Sequence, residues 1–284
     1  MTTSTTSMTG PAARPATTLP LRVEVCRQLT RRRTLLTLGL LVLLPVLLVA
    51  AFLIGGDADD TAPGLVDLAT VGAANFMLFV LFASTGFLLV VVFALFAGDA
   101  VASEASWSTL RYLLTAPVPR EHLLRRKLTV AVGFSVFSLI LLPSAAFLAG
   151  GLAFGWAPLR TPLGTTVDLG TMLPRLGIAL LYLALCLFFV SALAFCLGVY
   201  TDAPLGAVGG AVLLVIVSNI LESITALGDL RQALPTYFLY AWLDVLSPQI
   251  DWDNMVRGAL TDLSYAVVLL MLAWRHFRRK DIVS

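Results

Sequence analysis

Two histidines, three cysteines and seventeen acidic residues are the side chains of this 284-residue chain able to ligate a metal, attack a carbonyl or pass a proton. Their spacing supports none of that chemistry. His122 and His276 each stand among basic residues with no ligating neighbour at a metal-site interval, as solvated surface histidines do. Cys186 and Cys196 share one apolar run, roughly 15 Å apart at helical rise, and so cannot pair with each other, while Cys26 precedes the first such run. The sequence contains no GxxxxGK(S/T) phosphate loop, no GxSxG or HExxH element, and no pair of carboxylates inside an apolar run. The chain is therefore read as not an enzyme, with no nucleotide site, metal or cofactor of its own. An intramembrane protease, acyltransferase or lipid phosphatase would lack its reactive groups.

The elements that hold these residues are membrane spans. Hydrophobic residues make up 58% of the chain and charged ones 13%, against about a quarter charged in a soluble domain. Uncharged runs over residues 34–56, 68–98, 128–159, 176–201 and 203–221 can each cross about 30 Å of hydrocarbon as a helix. A sixth run, 258–274, is interrupted by Asp262, which is expected at the headgroup level where a charge costs least. A shorter apolar stretch, 232–243, contains Pro235 and reads as re-entrant or interfacial. The expected fold is an all-α integral membrane protein of six transmembrane helices, at about 34–56, 70–98, 128–155, 176–200, 203–222 and 258–275, forming one domain over 34–284. Residues 1–20, rich in Thr, Ala and Pro, read as a disordered tail and not a signal peptide. Leu21, Val25 and Leu29 at helical spacing, with Arg22, Gln28, Arg31 and Arg32 around them, predict an amphipathic interfacial helix over 21–33.

Charge placement gives an orientation. Fifteen of the nineteen Lys and Arg fall in the N-terminal tail, the second loop and the C-terminal tail, whereas the first loop carries Asp57, Asp59, Asp60 and Asp67. The positive-inside rule then places both termini and the second loop in the cytoplasm. The five uncharged spans carry only neutral polar groups, among them Asn75, Ser84, Thr85, Ser218 and Asn219 as candidates for a translocation path. Interhelical hydrogen bonding is their plainer reading. A proton- or sodium-coupled carrier usually keeps ionisable groups inside its helices, and these spans hold none.

The second loop is the most informative segment. Read as a helix over 100–115, it puts Trp107, Leu110 and Leu114 on one face and Glu104, Ser108 and Arg111 on another, and Pro117 and Pro119 end it. Here the chain resembles the type 2 ABC exporter permeases (ABC-2 type), in which a glutamate, a small residue with Thr-Leu, a Pro-Val, an arginine and a lysine recur between the second and third spans. Those positions are Glu104, Ser108 with Thr109 and Leu110, Pro117 with Val118, Arg120 and Lys127, with Ser108 standing where the family usually has glycine. The resemblance implies a permease subunit of the plasma (inner) membrane, pairing with itself or with a second permease. It also implies two cytosolic ABC ATPase subunits that bind ATP and Mg. The loop would be the coupling helix, with Glu104, Ser108, Thr109, Leu110, Arg111, Pro117 and Arg120 against the ATPase and with Trp107 and Leu114 anchoring it in the interface. Alternating access would export a lipophilic or amphipathic compound such as a drug, antibiotic or lipid. The alternative is a non-transporting ATPase-linked membrane scaffold or sensor, and neither reading involves nucleic acid.

The topology has a direct test. In a background with Cys26, Cys186 and Cys196 replaced by alanine, single cysteines at Asp59 and Asp251 should react with an impermeant thiol reagent on intact cells. One at Arg125 should react only after lysis, and its labelling from outside would overturn the orientation.

Overall fold

The computed structural model describes residues 21–55, 68–106, 120–160, 166–201, 203–247 and 250–279. A short helix, α1 (Leu21–Leu29), precedes α2 (Arg32–Ile54), and the second apolar run is divided into α3 (Ala73–Thr85) and α4 (Leu88–Ser106). Then follow α5 (Arg120–Phe154), a two-residue antiparallel pair of β1 (Leu159–Arg160) with β2 (Thr166–Val167), α6 (Leu169–Thr201) and α7 (Pro204–Ser223). Two 3₁₀ stretches, Thr225–Ala233 and Ala241–Leu246, lead to α8 (Asp253–Arg279). Among the described residues, five helices are long and apolar enough to cross a membrane, or six if α3 and α4 count as one bent span. Helices of this kind satisfy their backbone polar groups internally, as hydrocarbon requires.

The helices form two layers around α6. In α6, 67% of the most apolar window is buried, against 11% in α2 and 22% in each of α7 and α8, so α6 is the central helix and the others present their outer faces to the surroundings. α5 packs against α2, α3 and α4, whereas α6 packs along α4, α7 and α8. The second span passes between these layers by bending 58° between α3 and α4. Ser84, Thr85 and Gly86 stand at the bend, where small and hydroxylated residues commonly kink helices. Thr85 Oγ1 donates back to the Leu81 carbonyl at 2.7 Å, and the Gly86 N–H donates to the Tyr240 hydroxyl oxygen. A Cβ at Gly86 would lie 2.5 Å from that oxygen, so the close approach requires glycine.

The alternation of the helices is legible from contacts at their ends. At one end, Arg31 meets Asp99, Gly98 lies against Ala207 and Val208, and the rings of Tyr200 and His276 stack 4.0 Å apart. His276, half-buried among the exposed Arg275, Arg278 and Arg279, rests on the Tyr200 ring. At the other end, the Ala73 N–H donates to the Gly155 carbonyl at 2.9 Å, and Asn75 binds both backbone groups of Arg160. Gly155 has φ +85, which glycine adopts freely, and this turns the chain out of α5. Arg175 donates to the Ser247 carbonyl there at 2.9 Å. α1 and the last turn of α8 therefore share one end of the bundle.

The stretch between α7 and α8 folds back onto the bundle. Phe238, Leu239, Trp242 and Val245 are buried, and the Tyr182 hydroxyl of α6 donates to the Phe238 carbonyl at 2.6 Å. Gly258 makes this crossing possible, because a Cβ there would come within 2.5 Å of the Phe238 Cβ and would strike the Tyr182 hydroxyl. Gly258→Val should therefore force α8 away from α6 and lower stability by about 1–3 kcal/mol, the usual cost of overpacking. A fall in the thermal unfolding midpoint in detergent, absent from the Gly177→Val control where a Cβ meets nothing within 4 Å, would register it. Equal midpoints in the two variants would refute the close packing.

Candidate functional site

The densest group of charges sits where α1, α2, α4 and α5 meet. Arg31 caps α2 in an extended conformation (φ −71, ψ 127), which turns the chain between α1 and α2 and aims its side chain at the end of α4. Its Nη1 donates to Asp99 Oδ2 at 2.9 Å, and Arg33 Nη1 donates to Oδ1 of the same carboxylate at 3.0 Å. The Asp99 side chain is only 9% exposed, so its charge is held by two guanidinium groups in place of bulk water. Lys127 in α5 is buried further, at 5% exposed, and its ammonium donates to the Ala100 carbonyl at 3.1 Å and lies 3.8 Å from Glu24 of α1. Glu24 also accepts from Arg27 at 2.8 Å. Asp99 and Lys127 therefore fasten the ends of α4 and α5 to the same short piece of chain, residues 24–33. Segment 107–119 runs between those two fastenings.

That segment holds most of the residues singled out in the sequence. Trp107, Ser108, Thr109, Leu110, Arg111, Leu114 and Pro117 lie outside the described residues. Glu104 belongs to the last turns of α4 and Arg120 opens α5, although the side chains of both also lie outside the described residues. α5 continues from Arg120 without a break, so the basic stretch that precedes the third apolar run is the first part of the same helix.

The neutral polar residues of the spans do not gather at one place. Asn75 spends its side chain on Arg160 at the start of α3, and Thr85 bonds within its own helix. Ser84 is buried with no hydrogen-bond partner for its hydroxyl among the described residues. Ser218 pairs with Thr236 at 2.9 Å, and Asn219 is half-buried beside it in α7.

A second polar cluster forms between α6, α8 and the 225–246 stretch. Asp262, expected near solvent, is 2% exposed, because α8 begins at Asp253 and has turned this face onto α6 by that point. The Cys186 thiol donates to the Asp262 carboxyl and lies beside Tyr182, whose hydroxyl proton goes to the Phe238 carbonyl at 2.6 Å. Asp262 Oδ1 has no hydrogen-bond partner among the described residues. Its sequence signal is its position as the one acid inside the sixth apolar run, while Tyr182 and Cys186 have none beyond their span.

Fold and charge layout together define an α-helical protein with several helices able to span a membrane and an ionic clamp at one end. Residues 51–283 match the family described as protein of unknown function (DUF2705), and the chain belongs to that family. Asp99 and Lys127 lie within the matched region, whereas Glu24, Arg31 and Arg33 precede it. No curated protein matches the chain.

The clamp can be separated from ordinary surface charge by comparison. Asp99→Asn should lower the free energy of unfolding by about 1–3 kcal/mol, as expected when hydrogen bonds to a buried charge are lost. Arg257→Gln removes an exposed i,i+4 pair with Asp253 and should cost under about 0.5 kcal/mol. Denaturant titration in one detergent measures both, and an Asp99→Asn effect no larger than that of Arg257→Gln would show the clamp to be solvated.

Proposed function

We propose that this chain is the transmembrane permease subunit of an ATP-driven exporter of ABC-2 type. It lies in the plasma (inner) membrane with both termini in the cytoplasm, pairs with itself or a second permease, and binds two cytosolic ABC ATPase subunits. Those subunits bind ATP and Mg and carry out hydrolysis. The cargo is a lipophilic or amphipathic compound, moved by alternating access between two helix bundles. The single observation that carries this reading is the pair of fastenings at Asp99 and Lys127 on either side of segment 107–119.

A loop that passes the motion of a cytosolic engine into the membrane has to be fixed to spans at both ends; otherwise the motion dissipates in the loop. Asp99 joins its incoming side to α2 and Lys127 joins its outgoing side to α4 and α1. The resemblance at Glu104, Ser108, Thr109, Leu110, Pro117 and Arg120 supplies the chemistry of the loop itself. The bent second span adds a path inward, since α4 continues through the bend into α3 and so reaches the other layer. The 225–246 stretch then serves as a re-entrant segment on the outer side.

Purified alone, the protein should show no ATP hydrolysis. With an ATPase encoded beside it, vesicle transport of a lipophilic dye should require ATP and ignore an imposed proton gradient. Glu104→Ala with Arg111→Ala should weaken ATPase copurification and substrate-stimulated hydrolysis at unchanged expression, because the sequence puts both on the polar face of the loop, and substitutions on such a face typically alter stability by less than about 0.5 kcal/mol. Trp107→Ala should instead lower the amount of assembled complex. Gradient-driven transport without nucleotide would overturn the exporter reading, and ATPase binding with no flux of any cargo would favour the scaffold or sensor.

A further inference from the structure

Asp99 and Asp262 are both buried, and the protein meets their carboxyls in opposite ways. Asp99 receives two guanidinium donors. Asp262 is 2% exposed, has no ion pair among the described residues, and its Oδ1 finds no hydrogen-bond partner there. It stands nine residues into α8, roughly 14 Å along the helix from Asp253 and within the apolar run 258–274. Water at the membrane surface does not solvate it.

Four contacts fix α8 beside α6 in a single register: Gly258 with Tyr182, Tyr265 with Phe189, Trp274 with Phe195 and His276 with Tyr200. Asp262 lies one turn on from Gly258 and Cys186 one turn on from Tyr182, so this register sets the carboxyl against the thiol. From α6 the titratable groups facing it are these two. Tyr182 directs its hydroxyl proton to the Phe238 carbonyl, which leaves the thiol, a weak donor, for the carboxyl. The cations of the surrounding elements are engaged elsewhere. Arg175 of α6 donates to the Leu246 and Ser247 carbonyls, Arg231 to the Gly228 carbonyl at 3.3 Å, and Arg257 pairs with Asp253 at the exposed start of α8. The segment between α7 and α8 otherwise brings Asp229 and Asp244, which are acids, and the charged residue of α7 is Glu222. Those of α5 lie in residues 120–127, at the other end of the bundle.

We infer that Asp262 is a proton-binding site, that its carboxyl is neutral whenever α8 is seated on α6, and that loss of the proton unseats α8 and the segment carrying Phe238. An ionised carboxylate presents about four acceptor positions, and here one weak donor answers them. A charge left so bare at this depth is far costlier than a neutral carboxyl short of one partner. The proton takes the place that two arginines fill at Asp99. Gly258, one turn before the acid, closes against both Tyr182 and Phe238, so water drawn to an ionised Asp262 has to part those contacts. The proton stays with the seated helix. The site is therefore independent of the transport reading and adds no gradient-driven step to it.

The test uses the full chain in an ester-free detergent, examined by infrared spectroscopy at neutral pH. Wild-type protein should show a carboxylic-acid carbonyl band, separate from the carboxylate bands, that moves on exchange into deuterated water and is missing from Asp262→Asn. Isotopic labelling of the aspartate carboxyls should shift the same band in the wild type, a measurement that needs no variant to fold. Linkage gives a second arm. The native state holds a proton that the unfolded chain releases above about pH 4, so stability falls as pH rises. Between about pH 5 and 7 the wild-type unfolding midpoint should drop by about 3 °C per pH unit relative to Asp262→Asn, whose amide stays neutral throughout. Absence of an acid band that responds to the aspartate label would overturn the proposal, as would its persistence in Asp262→Asn. A wild-type midpoint that stays level with that of the variant, or rises against it, would do the same.

Discussion

A carboxylate taken out of water at the end of a membrane helix has to bring its own cations, and much of this protein's basic end is organised by Asp99 meeting that requirement. The two guanidinium groups that hold it come from the turn between α1 and α2. Position and direction of α1 therefore follow from an ion pair on another span. Lys127 imposes the complementary demand on α5, since a buried ammonium needs acceptors, and it finds them in the Ala100 carbonyl and in Glu24. Two desolvated charges of opposite sign thus bind four helices that have little apolar reason to converge, because hydrocarbon provides no hydrophobic drive between helices.

The same scarcity of water explains the other polar cluster. Inside α6 and α8 the Tyr182, Cys186 and Asp262 side chains find each other and the Phe238 carbonyl because nothing else is available. Gly258 permits the approach, so packing and polar satisfaction are one arrangement. The stretch 225–246 follows from this. Its second 3₁₀ turn, Ala241–Leu246, leaves backbone groups outside a regular α-helix and is covered by protein, with Trp242 and Val245 buried, whereas the first, Thr225–Ala233, has no buried residue.

Much of this was legible in the sequence and some was hidden for identifiable reasons. Uncharged runs of spanning length announce helices because little else in a protein produces them, and Pro235 with a short run announces a segment that does not span. The bend at Gly86 was hidden, since residues 68–98 are apolar without interruption and a single glycine in such a run usually marks packing. Asp99 was hidden by its place just past that run, where it reads as the first charge of a loop. Asp262 was visible as an acid in an apolar run, but its burial depends on the rotation of α8 about its own axis, which the mean hydropathy of a run does not encode. Asn75 and Ser218 were legible as polar residues in spans. That each is occupied by a partner distant in sequence, Arg160 and Thr236, depends on the tertiary fold.

The division of the second span has a mechanical meaning. α3 is packed with one layer and α4 with the other, and only two residues, Gly86 and Phe87, separate them. Both arms touch α5, and α4 alone runs on along α6 and α7, so the elbow sets the angle at which one span leaves the first set of helices for the second. Tyr240 sits on the elbow, its hydroxyl taking the Gly86 N–H and its ring 5.2 Å from Phe82. The segment between α7 and α8 is therefore tied to the bend itself, and the angle of the second span and the seating of that segment are one geometric condition.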